Sequence, residues 1–238
     1  MPLRPEAPIE ITAFRWVPDF AQGLVRDLRA RWALEEAGLD YRVRLLGFER
    51  PPEYLLEQPF DQVPCFSDGK VRIFETGAIV QYIGEQSEAL LPRDPQGRYR
   101  AIQWSYAALN SLEPSILNVL LIDLFHASEE WANLRRPGAV EFAKLKLKRV
   151  SDWLGGKDWL EGRFTIGDLL MVTVLRNLRH TDVVAEFPNL AAYVQRGEAR
   201  PAFQQALADQ LAVFKEHEPE LQPAYALQRM TERENDLF

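Results

Sequence analysis

The residue types best suited to chemistry in this chain are few. Glu75 and Thr76 open an apolar stretch with helical spacing. A helix N-terminus favours an anion, because its first N–H groups are free and the helix dipole is positive there. Cys65 is the only cysteine, and it follows Pro64 within a predicted strand, where cysteine usually packs as a small apolar residue. We therefore expect an anion site at Glu75 and Thr76 and no nucleophile at Cys65.

Composition excludes several classes of protein. The 238 residues carry a formal charge of −7, which disfavours general nucleic-acid binding, because neutralising phosphates requires clustered Lys and Arg. A single cysteine excludes an internal disulfide and a Cys-x-x-Cys redox pair, and three scattered histidines provide no metal-ligand spacing. No uninterrupted apolar run approaches the roughly 20 residues that span a bilayer, and the first eight residues lack a signal-peptide core. We expect a cytoplasmic protein without a metal site or membrane partner.

The first ninety residues alternate between strand and helix patterns. Periodicity and turn residues predict the order βαβαββα. A helix ends at Gly38, the residue type that best tolerates a left-handed cap, and two short strands flank the hairpin pair Asp68-Gly69. The predicted elements are strands at 9–16, 41–46, 63–67 and 70–74, helices at 20–37 and 75–83, and a short helix or irregular turn at 51–57.

The remainder of the chain has only helical patterns. Residues 91–95 are typical of a linker, and helices are predicted at 96–125, with a kink at Pro114, and at 137–154, 165–178, 188–196 and 201–214. Thr165 is the expected N-cap of its helix, and Asp168 at the third position completes a capping box. Residues 217–238 are polar and are predicted to pack loosely or fray. The expected class is α/β plus all-α, with one domain at 1–90 and another at 96–238.

Three segments together resemble the cytosolic glutathione transferase superfamily. They are Pro59-Phe-Asp-Gln-Val-Pro64, Phe74-Glu-Thr-Gly-Ala-Ile79 and Phe164-Thr-Ile-Gly-Asp168. This resemblance implies the glutathione transferase fold, in which a thioredoxin-like domain (1–90) binds glutathione and an all-helical domain (96–238) binds the second substrate. It also implies glutathione as co-substrate, a small electrophile and a homodimer.

The resemblance assigns site residues on both sides of the linker. It implies a cis Val63–Pro64 bond, which exposes the Val63 backbone to the cysteinyl unit of glutathione, with Gln62 beside it. Glu75 would meet the γ-glutamyl ammonium, and Thr76 the γ-glutamyl carboxylate. By their positions in the chain, the resemblance also assigns Arg50 to the glycyl carboxylate. It assigns Trp104, Tyr106 and Asn110 to the site of the hydrophobic substrate.

The chain departs from the family pattern where the family activates the thiol. Between Thr12 and Asp40 there is no Ser, Tyr or Cys. One alignment places Val17-Pro18 at the activating position, and another places Leu24-Val25 there. We favour backbone N–H groups at Phe20–Gly23, at the start of the predicted helix. The alternatives are the Gln22 amide, a charge from Arg15 or Arg26, and Tyr106 from the helical domain.

Three functions remain open. The first is a glutathione-dependent transferase whose thiolate is stabilised without the usual Tyr, Ser or Cys. The second is a noncatalytic binding or assembly module of the same fold, and the third is a glutathione-dependent reductase or lyase. The charged residues of the first helix are interpreted as a solvated, paired face: Arg26, Asp27, Arg29, Arg31, Glu35 and Glu36.

Overall fold

The computed structural model describes residues 3–218 and groups them into two compact units. The first contains the residues up to Ser87 together with the helix that begins at Pro201, and the second is Glu88–Arg200. The division into domains at 1–90 and 96–238 stays a prediction, and the packing adds that the last helix shares the core of the first unit. The tail predicted at 217–238 lies almost entirely outside the described residues.

The first unit is built on a mixed four-stranded sheet. β1 (Ile9–Phe14) pairs in parallel with β2 (Tyr41–Leu46), and the strand order is β2-β1-β3-β4. The short strands β3 (Phe66–Ser67) and β4 (Arg72–Ile73) form the predicted antiparallel hairpin. A helical crossover joins the parallel pair, so the predicted α/β arrangement is confirmed.

The first helix is shorter than predicted. α1 is Asp27–Ala37 and ends at the predicted cap Gly38, whose φ is 65°. The predicted start at Phe20 is wrong, because Gly23 has a positive φ of 75° and local turns occupy the preceding backbone. The other helical elements are a 3₁₀ helix at Pro52–Leu56, α2 at Thr76–Glu85 and, after the second unit, α8 at Pro201–Glu216.

The interpretation of the charged residues on α1 as a solvated face is wrong. Asp27, Arg29 and Arg31 are at most 4% exposed, and Arg26, Glu35 and Glu36 are half-buried. The physical reason is that both α8 and α2 pack against α1, where Arg29 contacts Thr76 of α2. The ring of Phe203 meets Trp32 edge-on at 4.9 Å between ring centroids.

The described secondary structure of the second unit is entirely helical. Its first helical stretch, residues 95–125, is continuous, but it changes from α-helical to π-helical geometry just before Pro114. The reason is that a proline has no N–H to donate to the carbonyl four residues back. The interruption predicted at Pro114 takes the form of a π-helical segment. The elements are α3 (Pro95–Tyr106), the π segment (Ala107–Leu112), α4 (Glu113–Phe125), α5 (Glu130–Leu154), α6 (Ile166–Leu175), a 3₁₀ helix (Arg176–Leu178) and α7 (Pro188–Glu198).

Helix α5 begins seven residues before the predicted start at Pro137. The proline lies inside the helix and is exposed. Asn133, whose carbonyl loses its partner, is exposed, so water can bond to that carbonyl and the helix continues through Pro137.

Helix α6 is the buried centre of the second unit, and all its residues are buried. The predicted capping box is confirmed: the Thr165 N–H donates to Asp168 Oδ2 at 3.0 Å, and Thr165 Oγ1 accepts from the N–H of Gly167. The Asp168 carboxylate also accepts from the Leu160 N–H and from the Tyr193 hydroxyl, each at 2.9 Å. One side chain thus caps α6 and binds two other segments.

Within residues 3–218, the stretch Pro95–Phe125 is long and apolar enough, by length and composition alone, to cross a membrane. Core helices of soluble proteins pass the same test. Ala101, Ala108 and Ile116 on this stretch are fully buried inside the second unit, as in a core helix.

Candidate functional site

The two segments that were singled out in the sequence lie at the same end of the sheet. Phe66, at the start of β3, pairs with both Ile11 of β1 and Ile73 of β4. The residues just before β3 and just after β4 are therefore neighbours beyond the C-terminal end of β1. This places Val63–Pro64 beside Glu75–Thr76.

The Val63 backbone can accept a ligand strand. The Val63–Pro64 bond is cis, as the resemblance implied, and Val63 is 3% exposed. Among residues 3–218, neither its N–H nor its C=O has a hydrogen-bond partner. Buried unpaired backbone groups are rare in folded proteins, so an extended ligand backbone could complete this pair of bonds. The neighbouring Gln62 is tied in place through its C=O, which accepts from the Tyr54 hydroxyl at 2.7 Å.

The start of α2 can accept an anion. Glu75 precedes the helix with φ 67° and ψ 117°, a conformation that costs a non-glycine residue roughly 1–3 kcal/mol and is common at ligand sites. Its side chain makes no cap hydrogen bond. The N–H groups of Thr76, Gly77 and Ala78 consequently have no acceptor within the helix, and they converge where a carboxylate would be stabilised.

A residue that the sequence reasoning missed completes this site. Arg29 of α1 is 4% exposed, and its Nη1 donates to Thr76 Oγ1 at 3.2 Å. A buried, permanently charged guanidinium thus lies directly behind the start of α2. The available signal was that apolar residues surround α1 on all sides (Leu28, Ala30, Trp32, Ala33 and Leu34), which is typical of a buried helix.

Arg50 is less available than the sequence suggested. Its side chain is 1% exposed, its Nε donates to Asp61 Oδ1 at 2.6 Å, and its guanidinium lies over the Phe14 ring at 5.3 Å. Binding of a glycyl carboxylate by Arg50 stays a prediction, and it would require this ion pair to be shared or opened.

The segment expected to activate a thiol is a series of turns rather than a helix start. The N–H groups of Ala21 and Gln22 donate to the carbonyls of Pro18 and Asp19. The Gln22 amide donates to the Val17 carbonyl and to Asp19 Oδ1, both at 3.2 Å. The idea that Phe20–Gly23 provides aligned helix-start donors is therefore wrong, because α1 begins only at Asp27.

The hydroxyl of Thr12 is fully used inside the protein. It accepts from the Cys65 N–H at 2.7 Å and bonds to the Tyr54 hydroxyl at 2.9 Å. Because Tyr54 gives its own hydrogen to the Gln62 carbonyl, Thr12 is the donor in that second bond. Thr12 is thus a structural residue, as its position inside the strand indicated.

Cys65 is expected to be dispensable for chemistry. It is 3% exposed, and burial raises the pKa of its thiol, so little thiolate forms near neutral pH. Cys65→Ala should leave glutathione-dependent activity within about twofold of wild type, since only a buried sulfur is removed. Steady-state kinetics checks this, with alkylation of the wild type by iodoacetamide, slow when folded and fast in urea, as the control. Loss of activity in a folded variant would reinstate Cys65 as a reactive group.

The three residues predicted to contact a hydrophobic substrate do not share one face. Trp104 packs on Trp153 at 5.4 Å between ring centroids and donates to Glu161. Tyr106 is 56% exposed, and residues two apart on a helix point to different sides. Tyr106 and the exposed Asn110 in the π segment are four apart and can form a common surface. Their binding of a substrate stays a prediction.

No group of three or more His, Cys, Asp or Glu side chains in the described part of the chain could hold a metal ion. At the end of the sheet, the Val63 backbone, unpaired within residues 3–218, and the uncapped start of α2 form an arrangement that suits an extended, anionic peptide.

Two family models match this chain. The glutathione S-transferase N-terminal domain matches residues 21–85, and the glutathione S-transferase C-terminal domain matches residues 139–201, together more than half of the chain. The match to the first model includes both segments of the candidate site.

Individual proteins give the same result. Glutathione S-transferase F14 of Arabidopsis thaliana is 29% identical over 199 residues, covering 73% of this chain and 76% of the relative. The disulfide-bond oxidoreductase YfcG of Escherichia coli is 26% identical over 196 residues, covering 73% and 86%. A glutathione transferase family member from Pseudomonas fluorescens, solved with two glutathione molecules bound, is 26% identical with a TM-score of 0.74, covering 85% and 94%.

Proposed function

Because this chain belongs to the cytosolic glutathione transferase superfamily, we propose that it binds glutathione at the two segments beside the sheet end and joins it, through its sulfur atom, to a small hydrophobic electrophile. The observation that carries this proposal is the set of unpaired donors and acceptors that converge there. The Val63 backbone offers one N–H and one C=O, and the start of α2 offers three N–H groups.

Each part of glutathione has a proposed partner. The cysteinyl backbone pairs with Val63 as an added strand, next to Gln62 and Pro64. The γ-glutamyl carboxylate binds at Thr76, and the γ-glutamyl ammonium meets the exposed Glu75 carboxylate. The glycyl carboxylate is assigned to Arg50. These contacts position the peptide and leave its sulfur at the end of β1.

The proposed reaction is a displacement at carbon. The thiol of glutathione loses its proton to solvent, the sulfur forms a bond to the electrophilic carbon, and the leaving group departs with its bonding electrons. A free thiol has a pKa near 8.5, so the protein accelerates the step by stabilising the thiolate and orienting it. We propose that this stabilisation comes without a Tyr, Ser or Cys side chain, with Gln22, Gly23 and Tyr106 as candidates.

The proposal predicts glutathione-dependent stabilisation. At about 100 times its Kd, glutathione should stabilise the wild type by roughly 2.7 kcal/mol, which raises the melting temperature by several degrees. Thr76→Ala or Glu75→Gln should weaken the affinity about tenfold and reduce the shift accordingly. Differential scanning fluorimetry with a glutathione titration measures both.

A matched control lies on the same helix. Glu85→Ala changes an exposed carboxylate at the other end of α2 and should leave the shift unchanged. If millimolar glutathione stabilises neither the wild type nor this variant, the proposed binding fails. If Glu75→Gln, Thr76→Ala and Glu85→Ala reduce the shift equally, the peptide binds elsewhere.

Turnover distinguishes an enzyme from a noncatalytic module. Wild type with glutathione and an aromatic halide should release the halide faster than glutathione alone. Saturable glutathione binding without turnover of a panel of electrophiles would favour the binding module instead.

A glutathione-dependent disulfide reductase is the second candidate. It is favoured by the relative named a disulfide-bond oxidoreductase and by the similar structure with two glutathione molecules bound. Two bound molecules fit a reaction in which one thiolate attacks a disulfide and the second glutathione releases the product. Reduction of hydroxyethyl disulfide, coupled to glutathione reductase, tests it against the halide assay.

We further propose a cytoplasmic homodimer. This rests on the family alone, and light scattering coupled to size exclusion measures the mass in solution. The physiological electrophile is to be sought by the turnover panel.

A further inference from the structure

The contact between Arg29 and Thr76 suggests a specific function for the buried Arg29 guanidinium. Arg29 is 4% exposed and Thr76 is 5% exposed, so their 3.2 Å hydrogen bond lies inside the protein rather than in solvent. A guanidinium has five donors, no acceptor and a permanent charge. In this contact Arg29 therefore donates, and Thr76 Oγ1 accepts.

That direction decides what the Thr76 hydroxyl can do. A threonine hydroxyl has one hydrogen to donate and two lone pairs. With one lone pair occupied by Arg29, the hydrogen points elsewhere, and among residues 3–218 it has no acceptor. A buried donor left without an acceptor is unfavourable, so this hydroxyl is poised to donate to a group from outside the chain.

The surroundings of that donor favour an anion. The N–H groups of Thr76, Gly77 and Ala78 begin α2 without a side-chain cap, and the helix dipole adds partial positive charge. The Arg29 guanidinium adds a full charge at a buried position, where electrostatic interactions are stronger than in water.

We propose that Arg29 is a positioning residue that makes this chain selective for the α-carboxylate of the γ-glutamyl unit, by fixing the Thr76 hydroxyl as a donor and placing a buried positive charge behind it. The inference rests on the proposed function, because it takes glutathione as the ligand. It adds a requirement for one carboxylate of that peptide.

The experiment compares two ligands that differ only in that carboxylate. They are glutathione and γ-aminobutyryl-cysteinyl-glycine, which keeps the amine and the rest of the peptide. Isothermal titration calorimetry should show that wild type binds glutathione at least tenfold more tightly. Arg29→Gln should weaken glutathione roughly 10- to 100-fold, the range for a hydrogen bond to a charged group, and change the affinity for the analogue less than threefold.

A purely structural role would give a different pattern, since general damage to the site weakens both ligands equally. Arg4→Gln is the matched control, because it removes the same charge from the same unit at a side chain that is 63% exposed. It should change neither affinity by more than about twofold.

A double-mutant cycle tests whether Arg29 acts through the hydroxyl. Thr76→Val removes the hydroxyl at nearly constant shape, so the double variant Arg29→Gln/Thr76→Val should lose less glutathione affinity than the sum of the two single changes. Additive losses would contradict the proposed positioning.

A third substitution keeps the inference testable if Arg29→Gln folds poorly. Arg29→Lys keeps the charge and most of the volume but not the fork geometry, and it should weaken glutathione about 3- to 10-fold and leave the analogue unchanged. Equal weakening of both ligands, or no weakening of either, would overturn the inference.

The failure of this inference can be told from the failure of the proposed function. If wild type binds neither ligand, the proposed function fails. If wild type binds both equally well, glutathione binding stands and the role of Arg29 is overturned.

Discussion

Asp168→Ala is expected to lower the free energy of unfolding by about 3 kcal/mol or more. The Asp168 carboxylate is fully buried and accepts from the N–H groups of Leu160 and Thr165 and from the hydroxyls of Thr165 and Tyr193. Removing the acceptor leaves these donors without a partner where water cannot replace it. Burial raises the pKa of Asp168 to about 6, although the four donors oppose that shift.

Urea denaturation followed by circular dichroism measures this loss. Asp158→Ala is the control, because that carboxylate belongs to the same unit but is 72% exposed, and it should cost less than about 0.5 kcal/mol. Asp168→Asn should fall between the two, since an amide oxygen accepts from some donors while its NH₂ group opposes the Thr165 N–H. A loss below about 1 kcal/mol for Asp168→Ala would mean that the capping box is not a major source of stability.

Glu35→Gln is expected to make folding stability less dependent on pH. Burial and the nearby Asp209 carboxylate of α8 raise the pKa of Glu35 to about 7 from an ordinary value of 4.5. Tyr41 of β2 and Arg31 of α1 also face this carboxyl, and burial raises the pKa of Tyr41 further above its ordinary range. Protonated Glu35 is thus compatible with the fold, whereas its ionised form is disfavoured.

The direction in which folding stability changes with pH follows from the raised pKa of Glu35. Below about pH 4.5 Glu35 is protonated in both folded and unfolded states, so its full contribution to stability is present. As pH rises towards 7 the unfolded state loses this proton first, and the contribution is lost. We expect a decrease of about 1–2 kcal/mol between pH 5 and pH 8, less than the full shift implies because Glu35 is only half-buried.

The difference between wild type and variant isolates this carboxyl from other titrating groups. Glu35→Gln should equal wild type near pH 4.5 and exceed it by about 1–2 kcal/mol at pH 8, measured by urea denaturation at each pH. Glu141→Gln, at a side chain that is 76% exposed, should follow wild type throughout. Parallel curves for wild type and Glu35→Gln would contradict the prediction.

The local patterns predicted the elements whose signals are complete within a few residues. The hairpin at Asp68-Gly69, the cap at Gly38 and the capping box at Thr165 each depend on neighbours in sequence, and the structure has all three. The candidate anion site at the start of α2 could be predicted for the same reason, because a helix N-terminus is a local feature.

The predictions that were wrong concern features that depend on contacts between residues far apart in sequence. The charged residues on α1 have the spacing of a solvated face, but α8 and α2 cover them, and Gln210 of α8 donates to Asp27 Oδ1 at 2.6 Å. Arg29 could not be assigned to the site, because its contact with Thr76 spans 47 positions in sequence. The start of α1 was missed because turns closed by backbone hydrogen bonds replace its predicted first two turns.

The covering of α1 by α8 has a consequence for biosynthesis. The helix that carries Arg29 is made early, yet the residues that bury its outer side, such as Phe203, leave the ribosome about 170 positions later. A nascent chain that stops before Pro201 therefore exposes Trp32 and the Asp27–Arg31 ion pair to solvent. This surface of α1 therefore stays uncovered until the ribosome has made α8.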